Sequence, residues 1–131
     1  MQHQSTARKY SSGVLVIDKE VGPTSFDVVR RLRSLAGGIR TGHAGSLDPF
    51  ATGVLVILMG KATKLSDSLL NADKRYRAVM KLGERTDSFD RTGEITENKP
   101  VPALTRETIE SVFRGFEGEW LQSAPSYSAK K

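Results

Sequence analysis

Two short apolar runs bounded by glycine or charge indicate that this chain folds around buried β-strands. They are Gly13–Asp18, with the sequence GVLVID, and Val54–Met59, with the sequence VLVILM. Runs of this length suit strands better than helices. Further strands are predicted at 39–43, 76–82 and 119–122, and the run at 76–82 alternates as a half-buried strand does.

Apolar residues recur at helical spacing in the segments between these strands. Thr24 or Ser25 can cap a helix that ends at Gly37-Gly38, and its apolar stripe is predicted at Phe26, Val29, Leu32 and Leu35. A second helix is predicted to contain Leu65, Leu69 and Leu70, and Thr105 is predicted to cap a third. The pattern therefore predicts an α/β (α+β) fold, with a mixed, largely antiparallel sheet and helices packed on it.

Length, charge and cysteine content limit the function classes. The 131 residues suit one domain, and the absence of cysteine excludes disulfides and thiolate metal sites. No apolar run is long enough to span a membrane, so a cytoplasmic protein is expected. The first 80 residues hold 12 Lys and Arg against 6 Asp and Glu. This bias fits either a surface that contacts phosphates or a solvated basic face without a partner.

The segment from Arg40 to Gly53 has the composition of a shaped loop. Its sequence is RTGHAGSLDPFATG, and it lies between two predicted strands. Glycine permits backbone conformations that other residues avoid, and Pro49 restricts Asp48 to an extended conformation. A single carboxylate on a stiff loop suits a nucleophile or a general base. An Asp-Pro turn without chemistry has the same pattern, and both interpretations stay open on the residues alone.

This loop and four other segments, taken in order, resemble the TruB family of tRNA pseudouridine synthases. Several ordered motifs are far more specific than one short pattern. The loop part Gly45–Gly53, followed by GKATK at 60–64, resembles the family's catalytic signature. The other matching segments are Gly13–Ser25, Asp73–Tyr76, Leu82–Asp87 and Gln122–Ala129.

The resemblance implies a pseudouridine-synthase-like fold and a reaction. The family isomerises uridine to pseudouridine at uridine-55 in the T loop of tRNA, without cofactor or metal. The family's catalytic aspartate falls on Asp48, and its active-site tyrosine falls on Tyr76. Its histidine beside the flipped uridine falls on His43. Without the resemblance, Tyr76 fits an ordinary strand aromatic, and His43 fits either a turn residue or a ring that stacks on a base.

Several other residues are candidates for contact with the substrate or its phosphates. Lys19 fits either a surface lysine or a support for the loop. Lys64 and Arg77 belong to a basic cluster that suits phosphates but also suits plain solvent. Together with His43, the residues expected to bind substrate or RNA are Lys19, Lys64, Arg77 and Tyr127.

The resemblance also implies a domain organisation. Residues 1–12 are expected to form a disordered tail, and 13–131 the N-terminal portion of a catalytic domain. The C-terminal remainder of that domain and an RNA-binding domain are expected to be absent from this chain, and the chain alone is expected to be inactive. The expected partner is the T stem-loop of tRNA, and the expected state is a monomer. A non-catalytic RNA-binding module is the alternative, and the ordered motifs disfavour an unrelated small-molecule pocket.

Overall fold

A computed structural model describes residues 12–121 of the chain. These residues divide into two compact units, one ending at Arg75 and one beginning at Tyr76. Each contains antiparallel strands and helices, so the predicted α/β class is confirmed. The predicted tail lies outside the described residues, apart from Ser12. No helix within 12–121 is long and apolar enough to cross a membrane.

The first unit is built on a three-stranded antiparallel sheet. Its strands are β1 (Gly13–Lys19), β2 (Thr41–His43) and β3 (Gly53–Met59), in the order β1-β3-β2. These confirm the strands predicted in this half of the chain. The register pairs Lys19 with Gly53 and His43 with Ile57. As a result, β1 ends beside the point where the glycine-rich loop enters β3.

Helix α1 (Ser25–Leu35) packs on this sheet and begins where its sequence predicts. The Thr24 side chain accepts a hydrogen bond from the Asp27 backbone N–H, and the Asp27 carboxylate accepts one from the Thr24 backbone N–H. This reciprocal pair is a capping box, and it satisfies amide groups that would otherwise lack partners. The helix is thereby fixed at its N-terminal end, directly after the turn that follows β1.

The predicted apolar stripe of α1 is only partly correct. Val29 is buried and Leu32 packs against the core, but Phe26 and Leu35 are 65% and 76% exposed. On a helix with 3.6 residues per turn, positions three apart drift by about 60° at each step. The ends of a run spaced strictly by three therefore turn away from the sheet. The residues of the helix and its C-terminal end that meet the core are Val28, Val29, Leu32 and Ala36.

After β3, the chain forms a 3₁₀ helix (Gly60–Leu65) and the short helix α2 (Ser66–Leu70). The predicted helix around Leu65, Leu69 and Leu70 is thus confirmed, although its first turn is 3₁₀ rather than α. Lys64 is exposed near the end of the 3₁₀ helix. Lys64 is therefore accessible from solvent.

The second unit contains a hairpin and one helix. Strands β4 (Glu84–Thr86) and β5 (Ile95–Asn98) pair antiparallel, and α3 (Arg106–Arg114) follows. The Thr105 hydroxyl accepts a hydrogen bond from the Thr108 backbone N–H, which confirms the predicted cap. The helix therefore begins as predicted from its sequence.

The strand predicted at 76–82 is wrong. These residues have no regular structure, and the strand begins only after Gly83, whose φ is +88°. Alternating apolar residues form a strand only where a neighbour supplies backbone hydrogen bonds. In the described part of the second unit, β5 supplies those bonds to residues 84–86 instead. Likewise, 119–121 is irregular, and Gln122 lies outside the described residues.

Candidate active site

The loop between β2 and β3 presents Asp48 at the surface of the first unit. Asp48 and Pro49 are exposed, whereas Leu47 packs partly buried against the core. The Asp48 carbonyl accepts a hydrogen bond from the Ala51 backbone N–H at 3.0 Å. The Pro49 carbonyl accepts one from the Gly22 backbone N–H at 2.8 Å. The loop is therefore tied both to itself and to the turn that follows β1.

The buried side chain of Lys19 stabilises this loop. Its side chain is only 1% exposed, which is rare for lysine. Its Nζ lies within hydrogen-bond distance of four carbonyl oxygens, those of Ala51 at 2.8 Å, Glu20 at 3.0 Å, Asp48 at 3.1 Å and Pro49 at 3.4 Å. These oxygens share its three N–H donors. Carbonyl oxygens carry partial negative charge, so they compensate the buried ammonium. The sequence allows Lys19 to be either a surface lysine or a support for the loop. In the structure it supports the loop.

A second buried contact holds the other side of the loop. Ser25, the first residue of α1, is 4% exposed. Its Oγ accepts a hydrogen bond from the Leu47 backbone N–H at 2.9 Å and donates one to the Leu47 carbonyl at 3.2 Å. The sequence indicates Ser25 as a possible helix cap and does not predict this contact. A small hydroxyl residue next to the cap was the available signal, but it does not reveal a partner 22 positions away.

His43 lies at the start of the same loop. It is the last residue of β2 and is half-buried. Its Nδ1 is shielded from solvent and has no hydrogen-bond partner among the described residues. An unpaired buried ring nitrogen costs free energy unless another group pairs with it. The imidazole therefore offers one polar position close in sequence to the Asp48 loop.

Three other predicted site residues fall after the first unit in the chain. Tyr76 is the first residue of the second unit and is 69% exposed, and Arg77 beside it is also exposed. Tyr127 lies outside the described residues. The structure thus links Lys19 to the Asp48 carbonyl directly, and Ser25 to Leu47, the residue before Asp48. It describes Tyr76 and Arg77 only within their own unit.

The charges at the start of α1 are already paired. Hydrogen bonds from the Thr24 side chain and backbone, together with Arg30, hold the pKa of the Asp27 carboxyl below its usual value. Arg30 Nη2 lies 2.6 Å from Asp27 Oδ1. Asp27 is therefore engaged in capping the helix and in an ion pair with Arg30.

Two carboxylates of the second unit serve the hairpin turn. The Asp90 Oδ1 accepts from the backbone N–H of Thr92 and from the Ser88 hydroxyl, both at 2.8 Å. The Asp87 Oδ1 accepts from the Glu94 backbone N–H at 3.0 Å. Hydrogen bonds from the Thr92 hydroxyl, the Thr92 backbone N–H and the Ser88 hydroxyl hold the pKa of the Asp90 carboxyl below its usual value. Within 12–121, no group of three or more histidine, aspartate or glutamate side chains is placed to hold a metal ion.

The site can therefore offer one solvent-facing carboxylate on a loop held from both sides. Such a group can act as a nucleophile or as a general base if a substrate places an electrophilic carbon or an acidic proton against it. Holding the backbone in place limits the motion that would otherwise separate the reacting atoms.

Comparison with known proteins places this arrangement in a family. Residues 32–131 match the model of the TruB family pseudouridylate synthase N-terminal domain. The tRNA pseudouridine synthase B of Opitutus terrae is 47% identical over 124 residues, covering 95% of this chain and 52% of the relative. That of Stutzerimonas stutzeri is 46% identical over 131 residues, covering 100% of this chain and 43% of the relative.

The protein of the same name from Chlamydia pneumoniae is 47% identical over 127 residues, covering 95% of this chain and 53% of the relative. The chain spans about half the length of the curated relatives it matches. The match includes the Asp48 loop, and it extends over most of the chain. The chain belongs to the TruB family of pseudouridylate synthases.

Proposed function

We propose that this protein takes part in the isomerisation of uridine to pseudouridine in tRNA, with Asp48 as the catalytic nucleophile or base. The observation that carries the proposal is an exposed carboxylate on a loop whose backbone is held by the buried Lys19. The names of the relatives, all tRNA pseudouridine synthase B, support the reaction and the kind of substrate. The position within tRNA is proposed from the family motif as uridine-55 in the T loop.

The chemistry needs only what such a site offers. The bond between the sugar C1′ and the base N1 breaks, the base rotates, and C1′ bonds to C5. The proton on C5 leaves, and N1 gains a proton, so atoms and electrons balance without an oxidant or a reductant. One ionised carboxylate can act at the sugar or at the base and is regenerated afterwards.

A uridine must leave its loop before a protein carboxylate can reach it. Enzymes that act on bases commonly flip them out of the stack and hold them against aromatic or apolar side chains. His43 is proposed to lie beside the flipped base, and its unpaired Nδ1 supports a polar contact there. Tyr76 stays a proposed catalytic residue on the family motif alone, and Tyr127 is proposed on the same ground. Lys64 and Arg77 are exposed and are proposed to contact phosphates.

The test is Asp48→Asn in the protein expressed from its complete reading frame. Asn keeps the size and turn tendency of Asp but loses the charge and the nucleophilic oxygen. Pseudouridine formed in a T stem-loop RNA is measured by mass spectrometry, and RNA binding by titration. We expect a loss of several orders of magnitude in rate with little change in binding. Asp67→Asn, at an exposed aspartate of α2, is the matched control and should keep full activity.

Conversion by the Asp48→Asn variant within about tenfold of the wild-type rate would show that Asp48 is not the catalyst.

The second candidate function, a non-catalytic RNA-binding module, is favoured by the basic first 80 residues. It predicts tight RNA binding without conversion by either protein. The 131-residue chain by itself is proposed to bind RNA and convert very little of it. Monomeric state and a cytoplasmic location are part of the proposal.

A further inference from the structure

Ser25 connects the start of α1 to the residue directly before Asp48. Its hydroxyl makes both backbone hydrogen bonds of Leu47, as acceptor at 2.9 Å and as donor at 3.2 Å. A hydroxyl has one donor and two acceptor positions, so both bonds can form at once. Because Ser25 is 4% exposed, water cannot easily replace either bond.

Lys19 and Ser25 bind backbone groups on the two sides of Asp48 along the chain. Lys19 binds the carbonyls of Asp48, Pro49 and Ala51, which all lie C-terminal to the Asp48 Cα. Ser25 binds the N–H and the carbonyl of Leu47, which lie N-terminal to it. The peptide planes on both sides of the Asp48 Cα are therefore fixed, and the direction of its Cα–Cβ bond is fixed with them.

The capping box makes this contact rigid. Thr24 and Asp27 hold the first turn of α1, and Val29 one turn further packs in the core. Ser25 is thus attached to a fixed helix and not to a mobile segment. Pro49 adds a further limit, because it restricts Asp48 to an extended backbone conformation.

We propose that Ser25 is a positioning residue that sets the direction of the Asp48 carboxylate for the reaction. It acts through the Leu47 backbone and does not touch the substrate. The inference rests on the proposed function, since it needs Asp48 to be the catalytic group. Loss of the hydroxyl frees one side of the loop, and the carboxylate then samples directions in which its oxygens miss the reacting atom.

The test is Ser25→Ala in the protein expressed from its complete reading frame, with T stem-loop RNA. We expect the single-turnover rate constant to fall by roughly tenfold to a hundredfold, because a misplacement of about 1 Å can slow a reaction by that much. The dissociation constant for the RNA should stay within about twofold, because Ser25 makes no RNA contact. Hydrogen exchange of the Leu47 amide should also become faster.

Ser12→Ala is the matched control. The Ser12 Oγ also makes two backbone hydrogen bonds within the first unit, donating to the Met59 carbonyl at 3.1 Å and accepting from the Ala62 N–H at 3.0 Å. These bonds lie at the other end of β3 from the Asp48 loop. The control should therefore keep the wild-type single-turnover rate constant.

A Ser25→Ala rate constant within twofold of wild type, or a loss of RNA affinity with an unchanged rate constant, would overturn the positioning role. If circular dichroism shows that Ser25→Ala is unfolded, Ser25→Cys replaces it, because a thiol of similar shape is a poor donor and acceptor. The same loss of rate is expected, and a wild-type rate would overturn the role. An inactive wild type, or an active Asp48→Asn variant, would instead refute the proposed function.

Discussion

Replacing Lys19 by Met tests how much the loop depends on one buried charge. Met keeps a long, flexible apolar side chain at this 1% exposed position but has no donor for the four carbonyls that the ammonium binds. The apolar part of the side chain should still pack, since Met adapts well to irregular spaces. The change therefore isolates the hydrogen bonds from the packing.

The magnitude follows from the partners that remain. The Asp48 carbonyl keeps the Ala51 N–H, and the Pro49 carbonyl keeps the Gly22 N–H. The loss therefore falls mainly on the Glu20 and Ala51 carbonyls. A hydrogen bond to a charged group contributes about 1.5–3 kcal/mol, so two such bonds contribute about 3–6 kcal/mol. Removing a buried ammonium recovers part of this as desolvation energy, and we expect a net destabilisation of about 2–4 kcal/mol.

The assay is urea unfolding at neutral pH, followed by far-ultraviolet circular dichroism. Lys61→Met, at an exposed lysine of the 3₁₀ helix, is the control and should change the free energy of unfolding by less than about 0.5 kcal/mol. A loss below about 1 kcal/mol for Lys19→Met would contradict the reasoning. It would mean that water, or a shift of the loop, satisfies the carbonyls as well as the ammonium does.

Two further predictions concern pH and salt. Thr24→Ala should destabilise α1 by about 1 kcal/mol at neutral pH, the usual effect of losing an N-cap side chain. Because Thr24 lowers the pKa of Asp27 in the folded state, the stabilisation is present above the ordinary aspartate pKa of about 3.9 and is lost as pH falls through the lower folded value. Urea unfolding at pH 7 and pH 3 should therefore show a smaller difference between wild type and Thr24→Ala at the lower pH, and an equal difference would count against the capping box. Affinity for a tRNA stem-loop should fall steeply with salt, and replacing Lys64 and Arg77 together by Ala should flatten that slope. An unchanged slope in a fluorescence titration would mean that these two side chains face only solvent.

Local patterns in the sequence predict the first unit well. The apolar runs at β1 and β3 and the cap at Thr24 are confirmed there, and so is the cap at Thr105 in the second unit, because each depends on residues within a few positions of one another. The strand predicted at 76–82 is wrong because strand formation depends on a partner. Alternation in the sequence does not show whether a partner is present.

The support of the candidate site is less predictable than Asp48 itself. The glycines and proline around Asp48 indicate a shaped loop, but nothing near Lys19 shows that its charge is buried. That burial depends on the pairing of Lys19 with Gly53, a contact 34 positions apart in the chain. The Ser25 contact is hidden for the same reason, since Leu47 reaches it only when α1 lies on the sheet.

The pairing of β1 with β3 also links strand alignment to the geometry of the Asp48 loop. The run VLVI in β1 has similar side chains at successive positions, so apolar burial alone distinguishes poorly between neighbouring alignments of the two strands. A slip of one residue would move every side chain of β1 to the opposite face of the sheet. Lys19 would then leave the loop carbonyls, and the exposed Asp18 would take a place on the buried face. The contacts of Lys19 with the Asp48 loop therefore form only when the two almost uniform strands are correctly aligned. A misaligned chain would lack the site as well as the fold.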